Sequence, residues 1–424
     1  MISVNKRIKT GAVLAALALA ATACGSDNKA DSTATTAATA ASSASTVTSD
    51  STATTDTMAP GDTMATGDTM ATGNSTATGD STAGGGQGVT AAGISAARCA
   101  ENKAAGKISY LSSFDFAASA SIVDVVVAKS KGYFDKMCLD VELTPGFSTS
   151  NYPLVAAGTA QFSSAGSYSE ILNYSVDGAA YVALVDYGKA PIEALVTPAG
   201  GATKLEGLKG KTIGVKGDLP PSIVAMLAKA GLKRGVDYKE ILLDGYDPVA
   251  QLAQGIDALP VYKSNEPGQL DSAGVKYNEF DPVTSNTPGS FGLIYTSKSY
   301  AAAHPTVVED FTRAALHGME SAIADPQGAV KISVAAIDAA GNQNYLTEAG
   351  ELYRWKAEIK VVTASTPAGE PIGLIDPPVF AAEYAAYAAA GVWPAGAPTD
   401  GKDYDEALAK SLYGADGKVI WPAG

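Results

Sequence analysis

The stretch SKGYFDKMCLDVELTPG, Ser130 to Gly146, decides how this chain folds. Just upstream, IVDVVVAKSK sets Ile122, Val123, Val126 and Val127 at helical spacing, and Gly132 is the residue type that ends a helix in a left-handed turn. Downstream, Leu139, Val141 and Leu143 alternate with Asp140, Glu142 and Thr144, the pattern of a half-buried strand. With KISYLSS before the helix as a first strand, the segment predicts a βαβ unit.

Outward from that unit the alternation continues. LDVEL, QFSSAG and YVALVDYG read as strands, with helical patterns at YPLVAAG and YSEILNYSV between them. LKGKTIGVKGDLPPSIVAMLAKAGL then starts a new strand-turn-helix, followed by the strand EILLDGY, the helix PVAQLAQG and the strand IDALPVY. SFGLIYTS is expected to return the chain to the first group of strands. The C-terminal region reads as mostly helical, with PTVVEDFTRAALHGMESAIAD its clearest amphipathic helix. The expected class is α/β, with residues 106–195 plus 289–424 as one lobe and 196–288 as a second. Each is expected to hold a mostly parallel sheet flanked by helices, with a cleft between them.

The N-terminal region is of another kind. Lys6, Arg7 and Lys9 precede the apolar run Gly11 to Thr22, too short to cross a bilayer, and small residues lead to Cys24. Residues 1–24 read as an export signal with a lipoprotein processing site, Cys24 being the lipidated residue; an unlipidated secreted product is the alternative. Residues 25–105 read as a disordered Ser/Thr/Ala/Gly linker, in which GDTMAT occurs twice and decays into GNSTAT and GDSTAG without an aliphatic position for a solenoid to stack. Its most biased part, Gly25 to about Gly88, would as a flexible coil of about 65 residues reach about 40 to 50 Å.

The chain has 424 residues and a net charge of −14, more negative still once Lys6, Arg7 and Lys9 leave with the signal. Nucleic acid is thereby excluded as a partner, since phosphate binding needs a basic face. Cys99 and Cys138 are open to two readings, a disulfide in an oxidising compartment or two free thiols. The two histidines, His304 and His317, show neither nucleophile–base nor metal-ligand spacing. The expectation is a binding protein rather than an enzyme, with no cofactor and no metal.

Ligands of open α/β sheets bind beyond the carboxyl ends of strands. The loops there read SSFDFAASAS, SSAGSYS, VDYGKAP, VKGDLPPS, LDGYDP and VYKSNEP. Phe114, Phe116, Tyr168, Tyr187, Tyr246 and Tyr262 supply rings that can sandwich a flat heterocycle. Asp115, Asn265 and Glu266 are candidates for its polar groups, with Ser119, Ser167 and Asp218 beside them. These loops contain no arginine, which disfavours a small anion, although backbone N–H groups near Gly166 or Gly217 bind anions without one. Each residue also has a structural reading: Asn265 as a helix cap, Gly217-Asp218 as a turn, the tyrosines as packing.

The order of GYF then LDVEL, AAGTAQFSSAG, LEGLKGKTIGV, LAQGIDALPVYKSNEP and HPTVVEDFTRAALHGMESAIADP resembles the solute-binding proteins of ABC importers in the nitrate, sulfonate, taurine and thiamine-pyrimidine group. The resemblance covers Gly106 to Asn342 and extends loosely to the C-terminal helices. It implies a two-lobed periplasmic-binding-protein-like (type II) fold that delivers a small molecule to an ABC permease. It also implies a monomer held by its lipid at the extracytoplasmic face of the membrane. Asn265-Glu266-Pro267 is most similar to the branch that binds pyrimidine precursors or related flat heterocycles, flavin-like ones included. Members handling the aminopyrimidine often carry Asn-His where this chain has Ser121-Ile122, and the group usually has glycine where this chain has Cys138. The alternatives are a binder of an alkanesulfonate, taurine or nitrate, or a pyrimidine-synthase-like enzyme. The fungal synthases of that fold carry a cysteine-rich motif and a histidine that this chain lacks at the matching places.

Overall fold

The computed structural model describes residues 88–175, 180–393, 396–398 and 402–423. The signal segment, Cys24 and the GDTMAT repeats lie outside the described residues. A hairpin of β1 (Val89–Thr90) and β2 (Gly93–Ile94) leads into helix α1 (Ala96–Ala104) and strand β3 (Lys107–Leu111). Helices α2 (Val123–Ser130) and α3 (Tyr133–Lys136) follow, then β4 (Asp140–Thr144) and α4 (Ser148–Ala156). Strand β5 (Phe162–Ala165), helix α5 (Tyr168–Tyr174) and strand β6 (Tyr181–Gly188) complete the first run. The second run begins with β7 (Glu193–Pro198), β8 (Thr212–Val215), α6 (Pro221–Lys229) and β9 (Lys239–Leu242). It ends with α7 (Pro248–Ala253), β10 (Leu259–Tyr262), α8 (Glu266–Ser272) and β11 (Tyr277–Phe280). Strand β12 (Phe291–Ser297) crosses back, and six helices close the chain. They are α9 (Lys298–Ala303), α10 (Pro305–Ala324), α11 (Pro326–Ala339), α12 (Glu348–Ser365), α13 (Pro377–Ala389) and α14 (Glu406–Ser411).

The first sheet has the order β4-β3-β5-β12-β6, so β12 does return the chain to the strands of the first run. Strand β3 is parallel to β4 and β5, which makes β3-α2-β4 the βαβ unit that the sequence announces. Strand β12, however, runs antiparallel to both β5 and β6. The second sheet, β10-β7-β11, is antiparallel throughout, with the parallel pair β8-β9 attached by an Ile213–Ala258 bridge. The sheets are therefore mixed rather than mostly parallel. Period-two patterning reports which face of a strand is buried and carries no information on its direction. Strand β7 belongs wholly to the second sheet, so a lobe boundary between 195 and 196 falls inside it.

Strands β6 and β12 are buried along their whole length apart from partly covered Val182, which fits their continuous apolar runs and their central or covered places. The main core lies where α2, α10 and α11 pack on this sheet, with the Phe162 and Phe311 rings stacked at 3.9 Å. Gly318 permits the close approach of α10 to α2: a Cβ there would sit 2.1 Å from the Asp124 carbonyl oxygen. Two smaller clusters cover the two faces of the second sheet.

The expected helix end is present, Gly132 at φ 69°, but one further helical turn, α3, intervenes before β4. The expected linker 25–105 is corrected at its end, because residues 88–105 are part of the fold. Arg98 is buried against α10, its Nε 2.7 Å from Asp310 Oδ2 and its Nη2 3.0 Å from Glu309 Oε2. Asn102 donates to Asp310 at 2.7 Å and to the Met137 carbonyl at 2.8 Å. Cys99 and Cys138 are joined in a disulfide with their Cα atoms 5.3 Å apart. Cys138 has φ 59°, the left-handed region that glycine occupies at least cost.

Closing a loop between residues 39 apart is worth about 3 to 4 kcal/mol by chain entropy. Cys99→Ser is expected to lose that stabilisation. Cys138→Gly is expected to lose about 1 kcal/mol less, because glycine relieves the left-handed strain. Urea denaturation of both variants beside the oxidised parent checks the difference, and equal losses would refute the strain.

Candidate functional site

A cavity of about 380 Å³ lies between the loops of the two sheets. The loop after β3 brings Phe114, Ser119, Ser121 and Ile122; the segment after β4 brings Phe147 and Ser148; the end of β5 brings Gly166. From the other side, the turn after β8 contributes Lys216 and Asp218, the loop after β9 Tyr246, and the end of β10 Tyr262, Asn265 and Glu266. Helix α12 roofs the site with Arg354 and Glu358. These loops follow the carboxyl ends of strands in both sheets, the place where open α/β sheets bind ligands.

The ring edges and faces are the most available surface. Phe147 is 45% exposed, Tyr246 60% and Tyr262 42%, large apolar groups left open around a concave site. Phe114 and Phe147 meet edge to face at 5.6 Å. Desolvation within the cleft and the surrounding carboxylates Glu193, Glu170, Glu266 and Glu358 hold the Tyr262 phenol protonated.

Both cations of the cavity are compensated by the protein. Lys216 Nζ lies 2.5 Å from Glu266 Oε1, while Glu266 Oε2 accepts from the Tyr262 backbone N–H at 2.8 Å. The same ammonium sits 6.0 Å from the Tyr246 ring centre. Arg354 donates to Glu351 Oε1 at 3.1 Å and to Asn265 Oδ1 at 3.0 Å, with its guanidinium 5.9 Å from the Phe114 ring centre. Such a site favours an uncharged ligand, since an anion would have to compete with carboxylates already in place.

Two more carboxyls complete the wall. Glu358, 1% exposed, accepts from Ser119 Oγ at 2.9 Å, Ala120 N at 2.7 Å and Ser264 Oγ at 2.9 Å. Burial pushes its pKa up to about 7 against the opposing pull of Arg354 and those hydrogen bonds. Glu170 accepts from Gly166 N at 2.9 Å, and desolvation raises its pKa above the ordinary carboxylate value. Near neutral pH the Glu358 carboxyl can thus donate as well as accept.

Of the residues expected from the sequence, Phe114, Ser119, Gly166, Asp218, Tyr246, Tyr262, Asn265 and Glu266 meet at this cavity. The others lie elsewhere. Phe116 packs with Ile122, Val126 and Ile337, and Asp115 turns its carboxylate back to the Phe116 N–H at 2.8 Å. Tyr168 is buried with its ring stacked on Phe380 at 4.1 Å, which leaves no face for a ligand. Tyr187 is buried with its hydroxyl donating to Asp124 at 2.6 Å. Ser167 caps α5 by accepting from Glu170 N, and Gly217 makes a turn at φ 111°. Asn265 occupies the cap position of α8 without a side-chain cap bond, having been drawn to Arg354 instead.

Lys216, Arg354, Glu170, Glu358 and Phe147 are among the lining residues that the sequence reading missed. An arginine absent from every cleft loop arrives from a helix far along the chain. One signal was available: Glu351, Arg354 and Glu358 share a face of α12 at spacings of three and four, all of them buried. Among the described residues, no group of three His, Cys, Asp or Glu is placed to hold a metal ion, and no helix is long and apolar enough to cross a membrane.

Residues 119–329, just under half of the chain, match the family model described as NMT1/THI5 like. The riboflavin-binding protein RibY of Chloroflexus aurantiacus is 30% identical over 132 residues, 30% of this chain and 36% of that protein, so the match spans about a third of that relative's length. Among solved structures, a protein of Bordetella bronchiseptica is similar with a TM-score of 0.52 at 20% identity, covering 72% of this chain and 96% of that one. The alkanesulfonate-binding protein SsuA of Xanthomonas axonopodis pv. citri, bound to MOPS, gives 0.50 at 18%, covering 72% and 97%. The periplasmic aliphatic sulphonate binding protein SsuA of Escherichia coli gives 0.50 at 15%, covering 66% and 84%. At such identities the likeness establishes the fold, that of the periplasmic binding proteins.

Glu358, Glu383 and Asp124 are all buried carboxyls pushed up to about 7. Each binds a proton in the folded state that its unfolded counterpart releases above about pH 4, so stability is greatest in mild acid and is lost as pH rises from about 4.5 through about 7, then levels. Melting temperature against pH is expected to fall across that window. Glu358→Gln is expected to flatten part of the fall, and an unaltered profile would mean that Glu358 titrates normally.

Proposed function

We propose that this chain, with an NMT1/THI5-like central region on a periplasmic-binding-protein fold, is the solute-binding component of an ABC importer. Its ligand on this reading is a small, flat, uncharged heterocycle, of the pyrimidine-precursor or flavin-like kind. The carrying observation is the cavity itself: open aromatic rings at Phe147, Tyr246 and Tyr262 surround a space whose two cations are matched by Glu266 and Glu351. Planar rings stack on such surfaces, each contact contributing about 0.5 to 1.5 kcal/mol beyond burial. The riboflavin-binding relative supports the same ligand class. The relatives whose names state a role are binding proteins, which supports transport rather than catalysis.

In this reading residues 106–192 with 289–424, and residues 193–288 with the whole of β7, close on the ligand as two lobes by hinge motion. The protein acts as a monomer outside the cytoplasm, tethered through a lipid on Cys24, and hands its ligand to a membrane permease. The small-anion alternative draws on Lys216 and Arg354, the two cations in the cavity wall.

Calorimetric titration with riboflavin, an aminopyrimidine, an alkanesulfonate and nitrate separates the two ligand classes. Tyr246→Ala, at an exposed position, is expected to weaken a heterocycle by about 1 to 3 kcal/mol with the melting curve unchanged. Glu266→Gln leaves Lys216 uncompensated; it is expected to alter heterocycle affinity by less than about threefold and to strengthen anions by about tenfold. Tight binding of the sulfonate or nitrate by the parent would overturn the heterocycle. The anchor has its own check: Cys24→Ser is expected to move the protein from the detergent-dependent to the soluble fraction with ligand affinity intact.

A further inference from the structure

The binding cavity does not end at its aromatic wall. A second cavity of about 790 Å³ adjoins it between α7, α8 and α12. Phe114, Tyr246, Asn265 and Arg354 line both spaces, so the two share a wall. The partition is a clasp, the Arg354–Asn265 hydrogen bond of 3.0 Å, between α12 and the start of α8. Beyond it Ser272, Asn344 and Thr347 bring hydroxyls and an amide to the wall, beside the apolar Val249, Leu346 and Ala349. Tyr345 is 88% exposed and Tyr353 40%, two further rings with hydroxyls at the outer wall. Gly268 lets α8 approach one of them closely, since a Cβ there would lie 2.6 Å from the Tyr353 ring.

We propose that the outer cavity is a second ligand subsite, which takes an uncharged polyhydroxylated arm while the inner cavity takes the flat ring that bears it. The inference rests on the heterocycle reading of the inner cavity and deepens it to a two-part ligand. A hydroxylated arm on a ring seated in the inner cavity has the outer space beside it, where Ser272, Asn344 and Thr347 can replace the water it loses. Multiple neutral donors and acceptors suit hydroxyls rather than a carboxylate or phosphate, because the one guanidinium at the boundary is already held by Glu351 and Asn265. The clasp gives the arm a way in: a hydroxyl that replaces Asn265 on Arg354 opens the partition.

Two probes with the same tricyclic ring decide the matter: riboflavin, with its polyol, and lumiflavin, with a methyl group in its place. Titrated into the full chain, riboflavin is expected to bind at least tenfold tighter. Asn344→Ala and Tyr345→Ala, neither of which lines the inner cavity, are each expected to weaken riboflavin three- to tenfold and leave lumiflavin unchanged, with circular-dichroism melts matching the parent. Equal affinity for the two probes, or variants that shift both alike, would overturn the subsite and leave the heterocycle reading standing. Binding of neither probe would overturn both.

Discussion

Glu358 is tied to both walls of the cleft at once. Its carboxyl accepts from Ser119 and Ala120 in the loop after β3 and from Ser264 in the loop after β10. Two turns earlier on the same face of α12, Glu351 accepts from the Ala118 N–H at 2.7 Å. The segment they hold has positive φ at Asp115 (47°) and Ser121 (70°), conformations that cost roughly 1 to 3 kcal/mol each unless the surroundings impose them. Its buried N–H groups find no partner in a sheet, and a buried donor left unpaired costs about 1 to 3 kcal/mol. Two buried carboxyls on one helix therefore fix the floor of the binding cavity. They act beside the Tyr110 hydroxyl, which donates to the Ser121 carbonyl, and the Asp115 N–H, which donates to the Gly146 carbonyl at 3.1 Å.

The same helix sets the charge of the site. Arg354 lies between those carboxyls in sequence, is bonded to one of them, and reaches across to Asn265 at the start of α8. Lys216, on the opposite wall, is matched by Glu266. Each cation is thus consumed by the scaffold, and the large exposed side chains that remain for a ligand are the rings of Phe147, Tyr246 and Tyr262. The cavity inherits its selectivity from this internal pairing as much as from the rings.

A second network binds the N-terminal segment to the body. Arg98 and Arg313 share the buried acids Glu309 and Asp310 of α10, Asn102 bridges Asp310 to the Met137 carbonyl, and the Cys99–Cys138 bond crosses the same junction. The C-terminal strap joins in, Ala423 N donating to the Ala91 carbonyl at 2.8 Å. Removing one member of such a network strands the others, which is why it holds as a unit.

The sequence by itself determined the elements and their rough order. Alternation marked β4, a continuous apolar run marked β6, the 3.6-residue period marked α2 and α10, and six loops after strands pointed to Phe114, Tyr246, Tyr262, Asn265 and Glu266. These signals are local, written in a window of a few residues, and local patterning survives without knowledge of the fold. Tertiary structure alone decided that β7, β11 and β12 run antiparallel to their neighbours, because a strand's pattern is the same in either direction. It decided that Tyr168 and Tyr187 face Phe380 and Asp124 rather than a ligand, since a ring before a helix reads alike whether it is stacked or open. It also decided that Arg354 and Glu358, more than 200 residues after Ser119, complete the cavity. Burial partners at that separation are chosen by the packing of whole helices on a sheet, and no short stretch of sequence encodes them.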